Sequence, residues 1–406
     1  MMNISNEDRE KVAVVVAGYN RLKPIQRLFS SLLRADYGGK DVPLVISIDC
    51  SNDEVLYDYV RNVDWPYGNK YLRIQEKRLG LKDHILQCGD LTQFFRALIL
   101  LEDDIFVGEY FYDYTLQALE KYESETHIGG ISLYNHEIGA NAIPISYFND
   151  GSDSFLRQSV ASWGECFTKS QWYSFKEWYG NFCDSKFEYI DMPEEAKMWT
   201  ASWTKYYTAY LVETNRYFVF PYISHTTCFS DAGEHFNQML LIGQTNLMSG
   251  SRSYYFKDYH DMVRYDVYWV NEDIYKWLKI SLDDVCVDLY RINRKRPNRK
   301  FLLTTLKMPY KTVRSFGLYL RPIELNVKYE IEGDGLFLYD IENEYKKHRE
   351  SPFSTDFINY SIRPLNNSMI CNYSIDLLLN RIIKKIKSLF SLSFGLICFV
   401  LTNMIK

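Results

Sequence analysis

"VAVVVAGYN", residues 12–20, sets six consecutive valine and alanine residues ahead of Gly18, Tyr19 and Asn20. A β-rich run with no polar alternation suits a strand covered on both faces, as in the middle of a parallel sheet. A parallel sheet requires crossover helices, and the next segment supplies one. "RLKPIQRLFSSLLRAD" places Leu22, Ile25, Leu28, Phe29, Leu32 and Leu33 on one helical face, with Pro24 tolerated in the first turn. The alternation continues through a strand in "VPLVISID", a helix in "VLYDYVRNV", a strand in "KYLRIQE" and a helix in "LKDHILQCGDLTQFF", and reaches a fourth strand in "ALILLEDD". The expected fold class is α/β with a mainly parallel, Rossmann-like sheet.

Right-handed crossovers put the carboxyl ends of all such strands on one edge, where open α/β sheets bind their ligands. Asn20 and Arg21 follow the first strand, Asp49 ends the second, and Glu102, Asp103 and Asp104 end the fourth. Three adjacent carboxylates repel one another and avoid the interior unless paired or coordinating a cation. Two readings are open for the triplet alone: a solvated acidic turn, or a divalent-metal site. A carboxylate at one strand end and an acidic cluster at another suit a nucleoside diphosphate carried with Mg²⁺ or Mn²⁺, hard ions that prefer oxygen ligands. Neither GxGxxG nor GxxxxGK[ST] follows the first strand, which disfavours dinucleotide and P-loop sites.

At 406 residues, the chain is long for one domain. The strand and helix alternation stops near residue 255, and "KFLLTTL", "SFGLYLRP", "LNVKYEIEG" and "GLFLYDIE" read as short antiparallel strands. The expected organisation is a catalytic domain over residues 1–250, a smaller β-rich domain over 251–365 and a C-terminal tail over 372–406. A formal charge of −5 argues against bulk binding of nucleic acid. The 34 tyrosines and eight tryptophans fit either sugar stacking or an aromatic core. Eight cysteines without a CxxC pair or zinc spacing read as free thiols in a reducing compartment. "MMNISNEDREKVAVVV" has no signal-peptide pattern, so the bulk of the chain is expected in the cytoplasm. In the tail, Ile382, Ile383, Ile386, Leu389 and Phe390 recur at helical spacing opposite Lys384, Lys385 and Lys387. That pattern fits an amphipathic helix on the inner face of an anionic membrane, or a helix packed on the protein's own core.

"VVVAGYNR", "VISIDCSND" and "LILLEDDIFVGEYF", in this order, resemble the opening of the GT-A glycosyltransferases. The similarity is to the Golgi N-acetylglucosaminyltransferase I family and to bacterial family 2-like surface-polysaccharide transferases, and it covers roughly residues 11–236. It implies transfer of a sugar from a nucleotide-sugar donor, UDP-linked by expectation, to a glycan or lipid-linked glycan acceptor in capsule, O-antigen or similar synthesis. By the same resemblance Asp104 matches the metal-binding Asp, Glu102 and Asp103 the carboxylates on sugar and ribose, and Asp49 the residue facing uracil. Asn20 and Arg21 match the lining of the nucleotide pocket, and Arg78 and Lys82 of "KRLGLK" are candidates for a basic approach to the nucleotide, unless simply solvated. Trp163 of "ASWGECF" matches the floor of the sugar pocket or packs in the core. His235 of "SDAGEHF" is placed to meet diphosphate or metal or serves structurally.

One departure concerns the base. The relatives carry a W-D-x-x-W or W-D-D-W stretch, whereas this chain has "MWTASW", with Thr200 after Trp199. Transfer with inversion needs a base within hydrogen-bond reach of the acceptor hydroxyl. Glu165 and Asp191 are the nearest candidates by motif position; otherwise the match has slipped or the mechanism differs. Two other classes stay open: a nucleotidyltransferase of related fold, and a non-catalytic glycan-binding protein that has lost the base.

Overall fold

The computed structural model describes residues 4–139, 143–200, 202–231, 243–293, 299–344, 355–362, 379 and 382–383. The chain divides into two compact units, Met1–Ser354 and Thr355–Lys406. The first begins with β1 (Val12–Gly18), α1 (Leu22–Leu32), β2 (Leu44–Ile48), α2 (Glu54–Asn62), β3 (Lys70–Ile74), α3 (Leu81–Gly89) and β4 (Ala97–Glu102). All seven residues of β1 are buried, as the unbroken apolar run requires, and Ile25, Leu28, Phe29 and Leu32 of α1 pack in the same core. Burying side chains of this size contributes about 1.5–3 kcal/mol each. The helix expected over "LKDHILQCGDLTQFF" stops at Gly89, whose Cα hydrogens face the Trp172 ring, and a 3₁₀ turn takes over from Asp90 to Gln93.

The chain continues through β5 (Ile105–Val107), α4 (Phe111–Tyr122), β6 (Ile128–Ser132), β7 (Ser154–Arg157), β8 (Glu165–Thr168), α5 (Lys169–Gly180), α6 (Glu194–Lys197), α7 (Trp203–Glu213), β9 (Tyr217–Pro221), β10 (Thr226–Cys228) and β11 (Arg264–Tyr265). Nine strands form one sheet in the order β11-β7-β9-β6-β8-β4-β1-β2-β3. Five of its eight neighbouring pairs are parallel: β3·β2, β2·β1, β1·β4, β6·β9 and β7·β11. The chain is therefore a mixed α/β protein with a large, mostly parallel sheet. From β1 the chain winds outward to β2 and β3, then returns to place β4 on the other side of β1. This reversal is the topological switch point, beyond whose carboxyl edge a ligand crevice is expected. Outside that sheet, β5 and β10 form an antiparallel ribbon in which Ile105 faces Cys228.

The remainder of the first unit contains α8 (Ile274–Leu278), β12 (Val285–Asp288), β13 (Phe301–Thr304), β14 (Tyr310–Phe316), α9 (Leu325–Lys328) and β15 (Leu336–Glu344). A four-stranded sheet, β12-β13-β15-β14, encloses a small core of Cys286, Leu302, Leu306, Met308, Phe337 and Tyr339. Residues 264–265 pair with β7 of the large sheet. Two findings differ from expectation. The β12·β13 pair is parallel. "LNVKYEIEG" forms no strand: Leu325–Lys328 is helical and a turn follows, while the buried Asn326 side chain accepts from the Tyr319 and Leu320 amides and donates to the Leu320 and Ile323 carbonyls. That side chain replaces backbone partners a strand would have used.

Among the described residues, Cys50, Cys88, Cys166, Cys183, Cys228 and Cys286 are free thiols. In the second unit, α10 (Thr355–Ile362) is helical, and so are residues 379, 382 and 383. The rest of the expected amphipathic tail lies outside the described residues. Among those described, no helix is long and apolar enough to cross a membrane.

Candidate functional site

A cleft of about 690 Å³ opens beyond the carboxyl ends of β1, β2 and β4. Asn20, Arg21, Asp49, Arg78, Glu102, Asp103, Asp104 and Trp163 all line it. Eight of the twelve residues singled out from sequence thus converge on one surface. Of the others, Lys82 lies outside the lining with its ammonium 5.2 Å from the centre of the Tyr206 ring. His235 lies outside the described residues.

Arg21 ends the loop after β1, and its guanidinium reaches across the switch point to the acidic cluster. It forms a two-pronged ion pair with Asp103, and its Nη1 donates to Asp104 at 3.3 Å and to the Asp231 carbonyl at 3.3 Å. Burial works against the charge of Arg21, but the carboxylates of Asp103 and Asp104 outweigh it and hold the guanidinium protonated beyond its ordinary range. Arg27 of α1 pairs in turn with the Asp231 carboxylate and lies 3.7 Å above the Phe229 ring. Two arginines thereby tie α1 to both walls of the cleft.

Burial and the neighbouring Asp104 and Asp103 push the Glu102 carboxyl up to about 8. Asp103 rises to about 6 by burial, with Arg21 opposing the rise. The β4·β8 register pairs Leu100 with Glu165, so Glu165 and Glu102 project on the same face of the sheet. Burial, reinforced by Glu102, pushes the Glu165 carboxyl well above the ordinary range.

Asp49 is 3% exposed and accepts from the Cys50, Leu79 and Gly80 amides, each at 2.9 Å. It therefore holds the loop before α3 against the end of β2, and Gly80 meets it at φ +80°, a conformation costly for other residues. Arg78 lies 4.8 Å above the Tyr19 ring, which places its charge on the same wall. Trp163 packs edge-on to Tyr134 at 4.7 Å, and its carbonyl accepts from the Thr226 hydroxyl at 2.5 Å.

The two base candidates stand elsewhere. Glu165 is 1% exposed and bonded to the Gly164 amide at 2.9 Å; it does not line the cleft. Asp191 is exposed, accepts from the Tyr268 hydroxyl at 2.7 Å and is also absent from the lining. The "MWTASW" segment does line it, through Met198, Trp199, Thr200, Ser202 and Trp203.

Residues that sequence reasoning passed over include His84, Cys228, Ser230 and Asp231. His84 Nε2 lies 2.8 Å from the Ser47 hydroxyl, which also accepts from Arg73 at 3.0 Å. Burial opposes the charge of His84, but the Cys88 thiol one turn on raises its pKa overall. Asp231 sits within the quoted "SDAGEHF" and follows β10; the ribbon pairing that brings it to the cleft has no local signal.

No family model and no curated protein matches the chain. Among solved structures, S. aureus TarS 1-349 in complex with UDP-GlcNAc is 16% identical, with a TM-score of 0.35 over 53% of this chain and 57% of that one. Mannosyltransferase PcManGT from Pyrobaculum calidifontis in complex with GDP-Man and Mn²⁺ is 12% identical, with a TM-score of 0.34 over 54% and 58%. GalNAc-T7 with UDP, GalNAc and Mn²⁺ is 12% identical, with a TM-score of 0.35 over 52% and 42%. The chain spans less than two thirds of the length of each.

Proposed function

We propose that the chain is a GT-A glycosyltransferase that takes a nucleotide sugar, UDP-linked in our reading, and passes the sugar to a glycan or lipid-linked glycan acceptor. The observation that carries this reading is the cleft itself. One switch-point crevice gathers a carboxylate-pinned loop at Asp49, an acidic strand end at Glu102–Asp104, and the guanidiniums of Arg21 and Arg78 beside the Trp163 indole.

Among the described residues, no group of three or more His, Cys, Asp or Glu side chains is gathered to hold a metal. The acidic strand end nevertheless fits Mg²⁺ or Mn²⁺, which bind through one or two carboxylates and complete their shell with water and phosphate oxygens. Asp104 and Asp103 would hold such an ion, which when bound offsets the charge of the departing diphosphate. The protein's own residues do the rest. Asp49 sets the loop that faces the base and ribose, Arg78 adds positive charge for the diphosphate, and Trp163 offers an apolar face to the sugar. A role in cell-surface polysaccharide synthesis draws support from the family resemblance, and a membrane-borne acceptor from the basic amphipathic pattern of the tail.

Purified protein incubated with Mn²⁺ and a panel of nucleotide sugars should release nucleoside diphosphate from one donor class. No turnover and no nucleotide binding across the panel would remove the proposal. A nucleotidyltransferase would instead release pyrophosphate from a nucleoside triphosphate and a sugar phosphate.

A further inference from the structure

Five acidic side chains line the cleft, Asp49, Glu102, Asp103, Asp104 and Asp231, of which Asp231 is already paired with Arg27; two guanidiniums, Arg21 and Arg78, line it with them. Of the two, Arg21 is committed to the oxygens a divalent ion would need: its fork grips Asp103, and Nη1 reaches Asp104 Oδ2 at 3.3 Å. A guanidinium and a divalent ion cannot both occupy one carboxylate pair without strong repulsion. Arg21 precedes α1, outside the helix proper, and its side chain keeps 21% of its surface exposed, on the cleft side.

We propose that Arg21 is an exchangeable counter-cation: it neutralises Asp103 and Asp104 in the empty cleft, and moves onto the diphosphate of the donor when a divalent ion arrives. This rests on the nucleotide-sugar reading of the cleft. A planar fork suits both partners, since guanidinium pairs with carboxylate and phosphate in the same bidentate geometry. The exchange makes ion and nucleotide mutually dependent: each binds weakly alone, because alone it leaves Arg21 either displaced without a partner or still held by the carboxylates. Such coupling is reciprocal by necessity.

The test compares the full-length protein with Arg21→Gln and Arg21→Lys, reading Mn²⁺ binding by the loss of the free-ion paramagnetic resonance signal and UDP binding by calorimetry. Arg21→Gln should bind Mn²⁺ alone at least about tenfold more tightly than wild type, and UDP in saturating Mn²⁺ about tenfold more weakly. Arg21→Lys, which keeps the charge but loses the fork, should fall between them on both measures. Unchanged or weaker Mn²⁺ binding by both variants, with UDP still bound by wild type, overturns the exchange and leaves the donor reading standing. Failure of wild type to bind UDP at any Mn²⁺ concentration removes the donor reading together with the second half of the exchange. Coincident thermal melts of the three proteins exclude misfolding as the source of any difference.

Discussion

Asp49 Oδ2 accepts the Gly80 amide at 2.9 Å across the cleft edge, joining the end of β2 to the start of α3. With Oδ1 taking the Leu79 and Cys50 amides, one buried carboxylate organises the loop that precedes the helix. Asp49→Ala removes three hydrogen bonds to part-buried amides, each worth about 0.5–1.5 kcal/mol net. The expected outcome is a lower melting temperature together with at least about tenfold weaker nucleotide binding. Calorimetric titration with UDP beside a thermal melt checks both. A stable Asp49→Ala protein with native affinity would show that Asp49 shapes nothing.

Trp163 owes its position to its neighbour. Gly164 adopts φ +105°, and a Cβ there would lie 2.8 Å from Thr226 Cγ2. Gly164→Ala therefore combines backbone strain with a steric clash, worth about 1–3 kcal/mol. It should also push β8 away from the β5–β10 ribbon and shift the indole. Tryptophan fluorescence and a thermal melt should both change, and donor affinity should fall. Thr226→Ser in the Gly164→Ala background removes the clashing methyl and should restore part of the stability.

The large sheet and the acidic strand end were legible because their signals are local. An unbroken apolar run marks β1, and three carboxylates in sequence stand out at the end of β4. Strand-end position then brought Asn20, Arg21 and Asp49 to the same edge without any contact being known, and Arg78 came from the family resemblance of "KRLGLK". What stayed hidden depends on separation along the chain. The Arg21–Asp103 pair spans 82 residues and the Arg21–Asp231 contact 210, so nothing local announces that a guanidinium occupies the acidic cluster. Asn326 shows the opposite failure, where a β-like apolar pattern forms no strand and one buried amide satisfies four backbone groups.

Glu165→Gln separates the motif-based expectation for the base from the observed geometry. A general base must reach the acceptor hydroxyl and be ionised near the working pH. Glu165 is 1% exposed, and burial with the adjacent Glu102 keeps its proton on. The amide is nearly isosteric with the protonated acid, so Glu165→Gln should fold normally and retain kcat within about threefold, whereas loss of a true base costs about a hundredfold or more. Single-turnover donor consumption in the presence of acceptor distinguishes the two.

Glu324 offers a pH-dependent contribution far from the chemistry. It is fully buried, accepts from the Tyr265 hydroxyl at 2.6 Å, and burial raises its carboxyl from 4.5 to about 7. Tyr265 also receives the Phe148 amide at 2.6 Å, so this acid helps hold β11 to the segment before α9. The folded state binds the proton more tightly than the unfolded chain does. Stability from this group is therefore fully present below about 4.5 and is lost as pH rises through about 7. Wild type should melt at a lower temperature at pH 8 than at pH 5.5, and Glu324→Gln, which cannot ionise, should flatten that slope by a few degrees. Asp266, raised to about 7 by burial, and Glu102 and Asp103, raised to about 8 and about 6 at the cleft, contribute slope of the same sign that remains. Melting curves of the single and double Asn/Gln variants across this range check the assignment, and an unchanged slope in Glu324→Gln would refute it.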